Sequence, residues 1–380
     1  MKVYYWSPHI DQVATVRAVI NSAHSLNLYS NNNYTPIIIN VAGEWDKYVS
    51  ELYQKNIKII NLTDSKVIQN KNIKGFIRSR LLYFYIFFIA FFPLLKLIKN
   101  NKPDYLILHL ITPLPLILKI LFNLKTKFIL RISGLPKLKN IRLLLWKLTL
   151  KKINLVTCPT IATREYIQKL NIIPKEKILL LYDPVISTKE IQERKKKPLK
   201  NFLLNDYYIS IGRLTKQKNF ILLVNAFKDF NQNKNYKLII IGEGEDRNKL
   251  ENFIKDNNLE ETIYLIGYQN NIFNYLKKSK CFILSSLWED PGFVLIEAAY
   301  MNIPIISSDC RNGPSEFLNN GEGGMLFNSG NKASLIECFR KFENLKADNI
   351  NYFKINSKKS SRNFSIFKHY KNLSTILKKI

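Results

Sequence analysis

Trp288-Glu289-Asp290-Pro291-Gly292-Phe293-Val294-Leu295-Ile296-Glu297 is the stretch on which the reading of this chain turns. The apolar run Cys281–Leu284 has strand length, and Glu289 closes the short polar tail that follows it. Pro291-Gly292 then opens an apolar-periodic helix over Phe293–Ala299, with Glu297 in its early turns. Proline is tolerated at a helix start because the N–H it lacks would have no partner there. The free backbone N–H groups of such an end, here Gly292, Phe293 and Val294, form an anion site, and phosphate suits it. Carboxylates repel phosphate, so Glu289 and Glu297 are left to bind hydroxyls. Phosphate beside a polyol points to a nucleotide-sugar.

Outward from this segment, strand-length apolar runs alternate with helical patterns to both ends of the chain. In the first half the strand candidates are Val3–Trp6, Thr35–Asn40, Ile57–Ile60, Tyr105–His109, Lys127–Ile132, Leu155–Thr157 and Ile178–Leu181. The first helix is expected over Asp11–Tyr29. The second half repeats the scheme with Tyr207–Ile211, Tyr236–Gly242, Ile263–Ile266, Cys281–Leu284, Pro304–Ser307 and Met325–Phe327. Such β-α alternation predicts α/β architecture with two doubly wound, Rossmann-like domains, whose ligands sit at the carboxyl ends of the strands. The charged stretch Ser187–Lys200 has no apolar period and reads as a linker. The expected division is 1–186, a linker over 187–203, 204–355, and a basic helical tail over 356–380.

At 380 residues, 46% of them hydrophobic, the chain is long enough and apolar enough for two packed cores. Cys158, Cys281, Cys310 and Cys338 are scattered without C-x-x-C spacing and read as reduced thiols of a cytoplasmic protein. The four histidines show no metal-ligand spacing, so no metal is expected. Met1-Lys2 leads straight into Val3–Trp6, without the pattern of a signal peptide. The formal net charge is +29. Residues 1–200 carry 33 Lys and Arg against 11 Asp and Glu, and the remainder 25 against 18. A field so placed draws an anionic partner: lipid headgroups, a lipid-linked diphosphate or nucleic acid. Nucleic acid is the disfavoured member, because no RNP-like, zinc-finger or helix-turn-helix pattern is found.

Leu81–Leu95 is nearly all apolar and is flanked by Arg78, Arg80, Lys96 and Lys99. It falls short of the roughly 20 residues that span a bilayer. A helix buried beneath the sheet, an interfacial helix and a transmembrane hairpin all fit the composition. The expectation is peripheral binding to the inner face of the cytoplasmic membrane.

The C-terminal half resembles retaining glycosyltransferases of family 4, which have the GT-B fold. The Glu289–Glu297 spacing is similar to the family's E-x7-E element, with Asp290 where the family often has Gly. Ile211-Gly212-Arg213-Leu214 with Lys216-Gln217-Lys218-Asn219 resembles its G-R-L-x-x-x-K-N loop. Leu238–Ile241 with Gly242-Glu243-Gly244 resembles its strand and G-x-G turn. Leu265-Ile266-Gly267-Tyr268, the segment Asn302 to Glu316, and Gly323–Phe327 resemble its later strand ends. The resemblance implies two facing domains, an N-terminal one for the acceptor and a C-terminal one for the nucleotide-sugar, with a terminal helix crossing back to the first. It assigns Arg213 and Lys218 to the diphosphate, Glu289 to the donor sugar, Glu297 to the ribose, and backbone N–H groups at Gly292, Phe293 and Val294 to phosphate. Gly212 and Gly242 would line the nucleotide and Tyr268 would stack near the base.

In the first half, His109 at a strand end resembles a family position that approaches the transferred sugar. Arg131, in Leu130-Arg131-Ile132-Ser133-Gly134, needs an anionic partner if buried, and an acceptor phosphate is the candidate. Relatives often have His-Gly there, and Trp6-Ser7-Pro8-His9-Ile10-Asp11 departs from their Gly-Gly loop; His9 or Asp11 is a candidate acceptor contact. The implied function is metal-independent, retaining hexosyl transfer from a nucleotide diphosphate-sugar, with no other cofactor. The acceptor would be a lipid-linked or lipopolysaccharide glycan in bacterial surface-polysaccharide assembly. The rival readings are another GT-B nucleotide-sugar enzyme, such as an epimerase, and a basic nucleic-acid-binding protein.

Overall fold

A computed structural model describes residues 1–10, 14–68, 76–136, 140–198 and 204–380, with the side chains of 76–79 and 140 left aside. The chain divides into two compact units, Met1–Pro184 with Ile366–Ile380, and Val185–Ser365. Each is built on one parallel sheet.

The sheet of unit 1 contains β1 (Lys2–Trp6), β2 (Thr35–Asn40), β3 (Lys58–Asn61), β4 (Tyr105–Leu108), β5 (Lys127–Arg131), β6 (Leu155–Cys158) and β7 (Ile178–Leu180). They lie in the order β3-β2-β1-β4-β5-β6-β7. Successive side chains of a strand point to opposite faces, so Tyr4 and Trp6 enter one core while Val3 and Tyr5 enter the other. A parallel sheet is covered on both faces, which is why its strands read as unbroken apolar runs. The helices are α1 (Ala14–Tyr29), α2 (Val49–Gln54), α3 (Phe76–Asn101), α4 (Pro113–Leu121), α5 (Asn140–Thr149) and α6 (Ile161–Lys169). Helices α3 to α6 cover the Tyr4 face, and α1 covers the Val3 face. Asp11, named above as a candidate, lies outside the described residues.

Unit 2 runs α7 (Thr188–Arg194), β8 (Tyr207–Ile211), α8 (Phe220–Phe230), β9 (Leu238–Ile241), α9 (Arg247–Asp256), β10 (Ile263–Leu265), α10 (Phe273–Lys278), β11 (Ser279–Leu284), α11 (Phe293–Tyr300), β12 (Ile305–Ser308), α12 (Pro314–Phe317), β13 (Met325–Phe327), α13 (Lys332–Glu343) and α14 (Ala347–Ser361). Its strand order is β10-β9-β8-β11-β12-β13. In α8 the buried Phe220, Leu223, Val224, Phe227 and Phe230 recur at helical spacing, which builds the amphipathic stripe that packs on the sheet.

Two boundaries differ from the sequence expectation. Residues 187–198, read as linker, belong to unit 2. They form α7, whose Ile191 is buried and whose Arg194 carbonyl accepts from Asn271 Nδ2 at 2.8 Å. One apolar residue in a charged helix leaves no periodic mark. Residues 356–365, read as part of the returning tail, stay with unit 2, because α14 turns the small Ser357 and Ser361 inward. Only the helix α15 (Ile366–Lys379) and its terminal residue join unit 1. There α15 packs on α1, and the Leu377 carbonyl accepts from the Tyr105 hydroxyl at 2.7 Å.

Candidate active site

In an open α/β sheet, ligands bind beyond the carboxyl ends of the strands where the strand order reverses direction. In unit 2 that point falls between β8 and β11. The loop after β8 brings Gly212, Arg213 and Lys218; the loop after β11 brings Glu289 and Gly292. The two loops are stitched together. Leu287 N–H donates to the Gln217 carbonyl at 2.8 Å, Gln217 Nε2 to the Trp288 carbonyl at 2.9 Å, and Ser285 Oγ to the Lys218 carbonyl at 2.8 Å.

The result is a salt bridge between Lys218 Nζ and Glu289 Oε1, with side chains 15% and 5% exposed. Ser286 Oγ donates to the same carboxylate oxygen at 2.5 Å. A pair so little exposed is held by its partners, since removing one leaves an uncompensated charge at a cost of about 3–5 kcal/mol. Lys218 therefore stands ready-charged at the switch point, balanced by Glu289 rather than by an incoming anion. Cys310 lies in the same field; burial pushes its thiol up to about 11, with the Ser308 hydroxyl and Lys218 opposing and Glu289 adding.

Gly292 is the N-cap of α11, with φ of 95°, a conformation that glycine reaches without a steric penalty. A Cβ there would lie 3.6 Å from Glu289 Oε2, so the carboxylate sits against the helix start. The first N–H groups of α11, those of Phe293 and Val294, have no acceptor within the helix and present positive partial charge to this place. On the β8 side, a Cβ on Gly242 would fall 1.8 Å from the Gly212 carbonyl oxygen. Only glycine lets the β8 and β9 loops approach so closely. A Cβ on Gly212 would crowd Lys218 Cε at 3.1 Å, so both glycines fix the path of the Lys218 side chain.

The other predicted residues of unit 2 differ in exposure. Arg213 is exposed and makes no ion pair among the described residues. Glu297 is half-buried in the second turn of α11, and Phe293 and Val294 are half-buried at its start. Tyr268 follows β10 and is 66% exposed, so it is not a packed core tyrosine. Among the described residues no group of three or more His, Cys, Asp or Glu is placed to hold a metal ion.

Unit 1 treats its predicted residues differently. His109 lies one residue beyond β4 and is buried. Its ring stacks on Tyr5 at 6.1 Å, and its Nε2 has no hydrogen-bond partner among the described residues. Burial holds the imidazole well below its ordinary pKa, and Arg131 and His369 add to the effect, so it is neutral. Arg131 is 3% exposed. The anion that its burial demands is Asp183, whose Oδ1 lies 2.5 Å from Nη2. That corrects the expectation of an acceptor phosphate as its counter-charge: Asp183, 52 residues away, already supplies it. His369 of α15 completes the cluster, with Nε2 2.9 Å from Ser22 Oγ and Nδ1 2.8 Å from the Tyr182 carbonyl. His9 is likewise buried, with its ring edge-on to Trp45 at 4.8 Å.

Sequence reasoning missed Ser286, Asp183 and His369. For Asp183 the signal was available in principle, since a buried strand arginine demands a carboxylate somewhere in its own fold. Ser286 and His369 carry no mark of spacing.

Residues 190–360 match the family described as Glycosyl transferases group 1. An uncharacterized glycosyltransferase of Methanocaldococcus jannaschii is 35% identical over 247 residues, which are 60% of this chain and 61% of that protein. A 4-alpha-N-acetylgalactosaminyltransferase of Campylobacter jejuni, named as acting on N-acetylgalactosamine-N,N'-diacetylbacillosaminyl-diphospho-undecaprenol, is 32% identical over 174 residues, 46% of each chain. The chain thus spans about half to three-fifths of the length of these relatives. Among solved structures, a glycosyltransferase from Rickettsia africae superposes with a TM-score of 0.77 at 18% identity, covering 100% of this chain and 98% of that one. That likeness gives the fold class: GT-B, with two Rossmann-like units. The matched residues 190–360, which hold the Lys218–Glu289 centre, are thus similar to the group 1 glycosyltransferases.

Proposed function

We propose that the protein is a retaining glycosyltransferase that moves a hexosyl group from a nucleotide diphosphate-sugar to a lipid-linked or lipopolysaccharide glycan in bacterial surface-polysaccharide assembly. The observation that carries this reading is the meeting of Lys218, Glu289 and the start of α11 at the switch point of unit 2. In this reading the donor's diphosphate lies between the first turn of α11 and the cations Arg213 and Lys218. Glu289 contacts the sugar and Glu297 the ribose. The name of the Campylobacter relative supports an acceptor carried on a polyprenyl diphosphate.

Glu289 Oε1 is engaged by both Lys218 and Ser286, which does not suit it to act as a nucleophile. We therefore favour attack on the same face as departure. The bond from the anomeric carbon to the diphosphate oxygen breaks as the bond to the acceptor oxygen forms, and the acceptor proton passes to the departing diphosphate. Arg213 and Lys218 stabilise the charge that develops there, which is where preorganised electrostatics acts most strongly. With two cations in that role, no metal ion is required in this scheme.

The test is incubation with a panel of nucleotide diphosphate-sugars and a polyprenyl-diphosphate-linked sugar, scoring nucleotide release and the product's anomeric coupling by NMR. One donor should be consumed in an acceptor-dependent way, with retained configuration and no loss in EDTA. Absence of turnover, together with absence of calorimetric binding for every donor and free nucleoside diphosphate, would end the proposal.

A further inference from the structure

Helix α3 has two apolar faces. One is ordinary: Leu82, Ile86, Ala90, Leu94 and Ile98 recur every fourth residue and enter the core of unit 1. The other is turned outward. Leu81, Phe84, Phe88 and Phe92 are 64–74% exposed. Soluble surfaces rarely carry so many large aromatics together, and where they do they mark an interaction site. The patch does not end with α3. Helix α4 packs between α3 and α5, and α5 adds Ile141, Leu144 and Leu148, each 59–86% exposed and spaced on one side of the helix.

The charges around this patch are of one sign. From Phe76 to Lys152 the sequence holds a single carboxylate residue, Asp104, and that side chain accepts from the Lys2 N–H at 2.6 Å. Arg80 of α3 lies close enough to Arg142 of α5 to depress its pKa, second to burial. Lys147, Lys151 and Lys152 are exposed at the end of α5, and Lys96 and Lys99 at the end of α3. Lys96, Lys99 and Phe92 also line an open groove of about 800 Å³ with Leu62 and Leu97.

We infer that the outer face of α3, α4 and α5 is a docking surface for an anionic lipid bilayer, with α3 lying along the membrane and its aromatics in the acyl boundary. The occupant follows from the charges. A second copy of this face would set Arg80, Arg142 and Lys147 against their own kind, as a two-fold interface requires. A membrane-spanning α3 is excluded by its inner face, which is part of the unit 1 core although the helix is long and apolar enough to cross. Acidic headgroups meet the basic rim, and aromatic rings suit the headgroup level. The inference gives the lipid-linked acceptor of the proposed function its meeting place, and rests on that reading only for its purpose.

The test uses the full chain and flotation with vesicles of phosphatidylcholine alone or mixed with phosphatidylglycerol. Each basic residue near an anionic surface adds appreciably to binding, so anionic vesicles should be preferred by on the order of a hundredfold, with the preference lost in high salt. Replacing the exposed Phe84→Ser, Phe88→Ser and Phe92→Ser together, or reversing Lys147→Glu, Lys151→Glu and Lys152→Glu, should each lower binding at least tenfold. Circular dichroism and nucleotide release without vesicles should stay as in the parent chain. Equal binding to both vesicles, binding to neither, or undiminished binding by both variants would overturn the inference. So would a dimer in solution that the triple Phe variant abolishes. Vesicle binding needs no turnover, so a failed donor assay with intact flotation would sink the enzymatic reading and leave the surface standing.

Discussion

At the switch point of unit 2, Lys218 and Glu289 form a pair that is mostly buried, and a further cation of the loop after β8, Arg213, is exposed to solvent. Unit 1 has the same strand order around its own switch point, between β1 and β4, with one more strand at its edge. Its charged pair, Arg131 with Asp183, is buried as deeply, but the groups around it are the neutral imidazoles of His109 and His369. One scaffold thus carries two treatments of polar groups at strand ends. In unit 2 a positive excess faces outward, as binding an anion requires. In unit 1 the charges cancel internally, as holding a core together requires. A charged residue at the end of a parallel strand is therefore not yet a ligand contact; whether its counter-charge lies within the fold decides.

The sharpest way to break this contrast is Arg131→Ala. With Asp183 left uncompensated, unit 1 should lose about 3–5 kcal/mol in chemical denaturation. If stability is unchanged and only turnover falls, Arg131 serves a substrate and the contrast between the units is wrong. Next comes Arg213→Ala. Its exposed side chain makes the folding cost small, while turnover should fall on the order of 10²–10³-fold by analogy with the loss of an oxyanion-hole donor. Turnover within a few-fold of the parent chain would remove Arg213 from the site.

Acid provides a third comparison, since all four histidines lie in unit 1. Burial holds His9 at about 4, with Lys47 contributing, and His369 at about 3, with Arg131 contributing. As pH falls below the ordinary imidazole value of 6.5, the unfolded chain takes up protons that folded unit 1 refuses, and stability drops. Glu44 acts in the opposite sense. Its burial raises the carboxyl to about 7, so the folded unit gains that proton first and stability rises as pH falls towards 4.5. The histidines outnumber it, which leaves a net loss on the order of 2–3 kcal/mol by pH 5. Hydrogen exchange followed peptide by peptide at pH 7.5 and 5, corrected for intrinsic rates, should show unit 1 loosening while unit 2 holds. The smallest effect is expected of Tyr268→Ala. Stacking on a base is worth about 1–3 kcal/mol per ring, and the exposed setting favours the lower end. Donor affinity should fall about fivefold by calorimetry, and no change would leave Tyr268 a surface residue.

The strands were legible because parallel strands are apolar on both faces; Ile37-Ile38-Ile39 and Leu238–Ile241 could hardly be anything else. The centre of the site was legible only as a set of separate motifs. That Lys218 and Glu289 would bond to each other, across 71 residues, depends on the path that Gly212 and Gly242 allow, and no spacing rule records it. His109 and Arg131 were found by position, but their burial was hidden. Their partners Asp183 and His369 come from remote parts of the chain, and a polar residue turned inward interrupts the apolar period instead of marking it. The same blindness displaced the domain boundaries, where Ile191, Ser357 and Ser361 are too few or too small to announce an inward face.

The docking of α15 in unit 1 bears on the order in which the protein can be made. Val185–Ser365 is continuous and can complete its core before α15 has left the ribosome. Unit 1 cannot, because Leu373, Ile376 and Leu377 fill one of its two cores and His369 caps its polar cluster. The half of the sequence translated first is therefore the half finished last. Until α15 has been translated and released, the nascent chain exposes the α1 surface that α15 will cover, and protection by a chaperone would matter most in that interval.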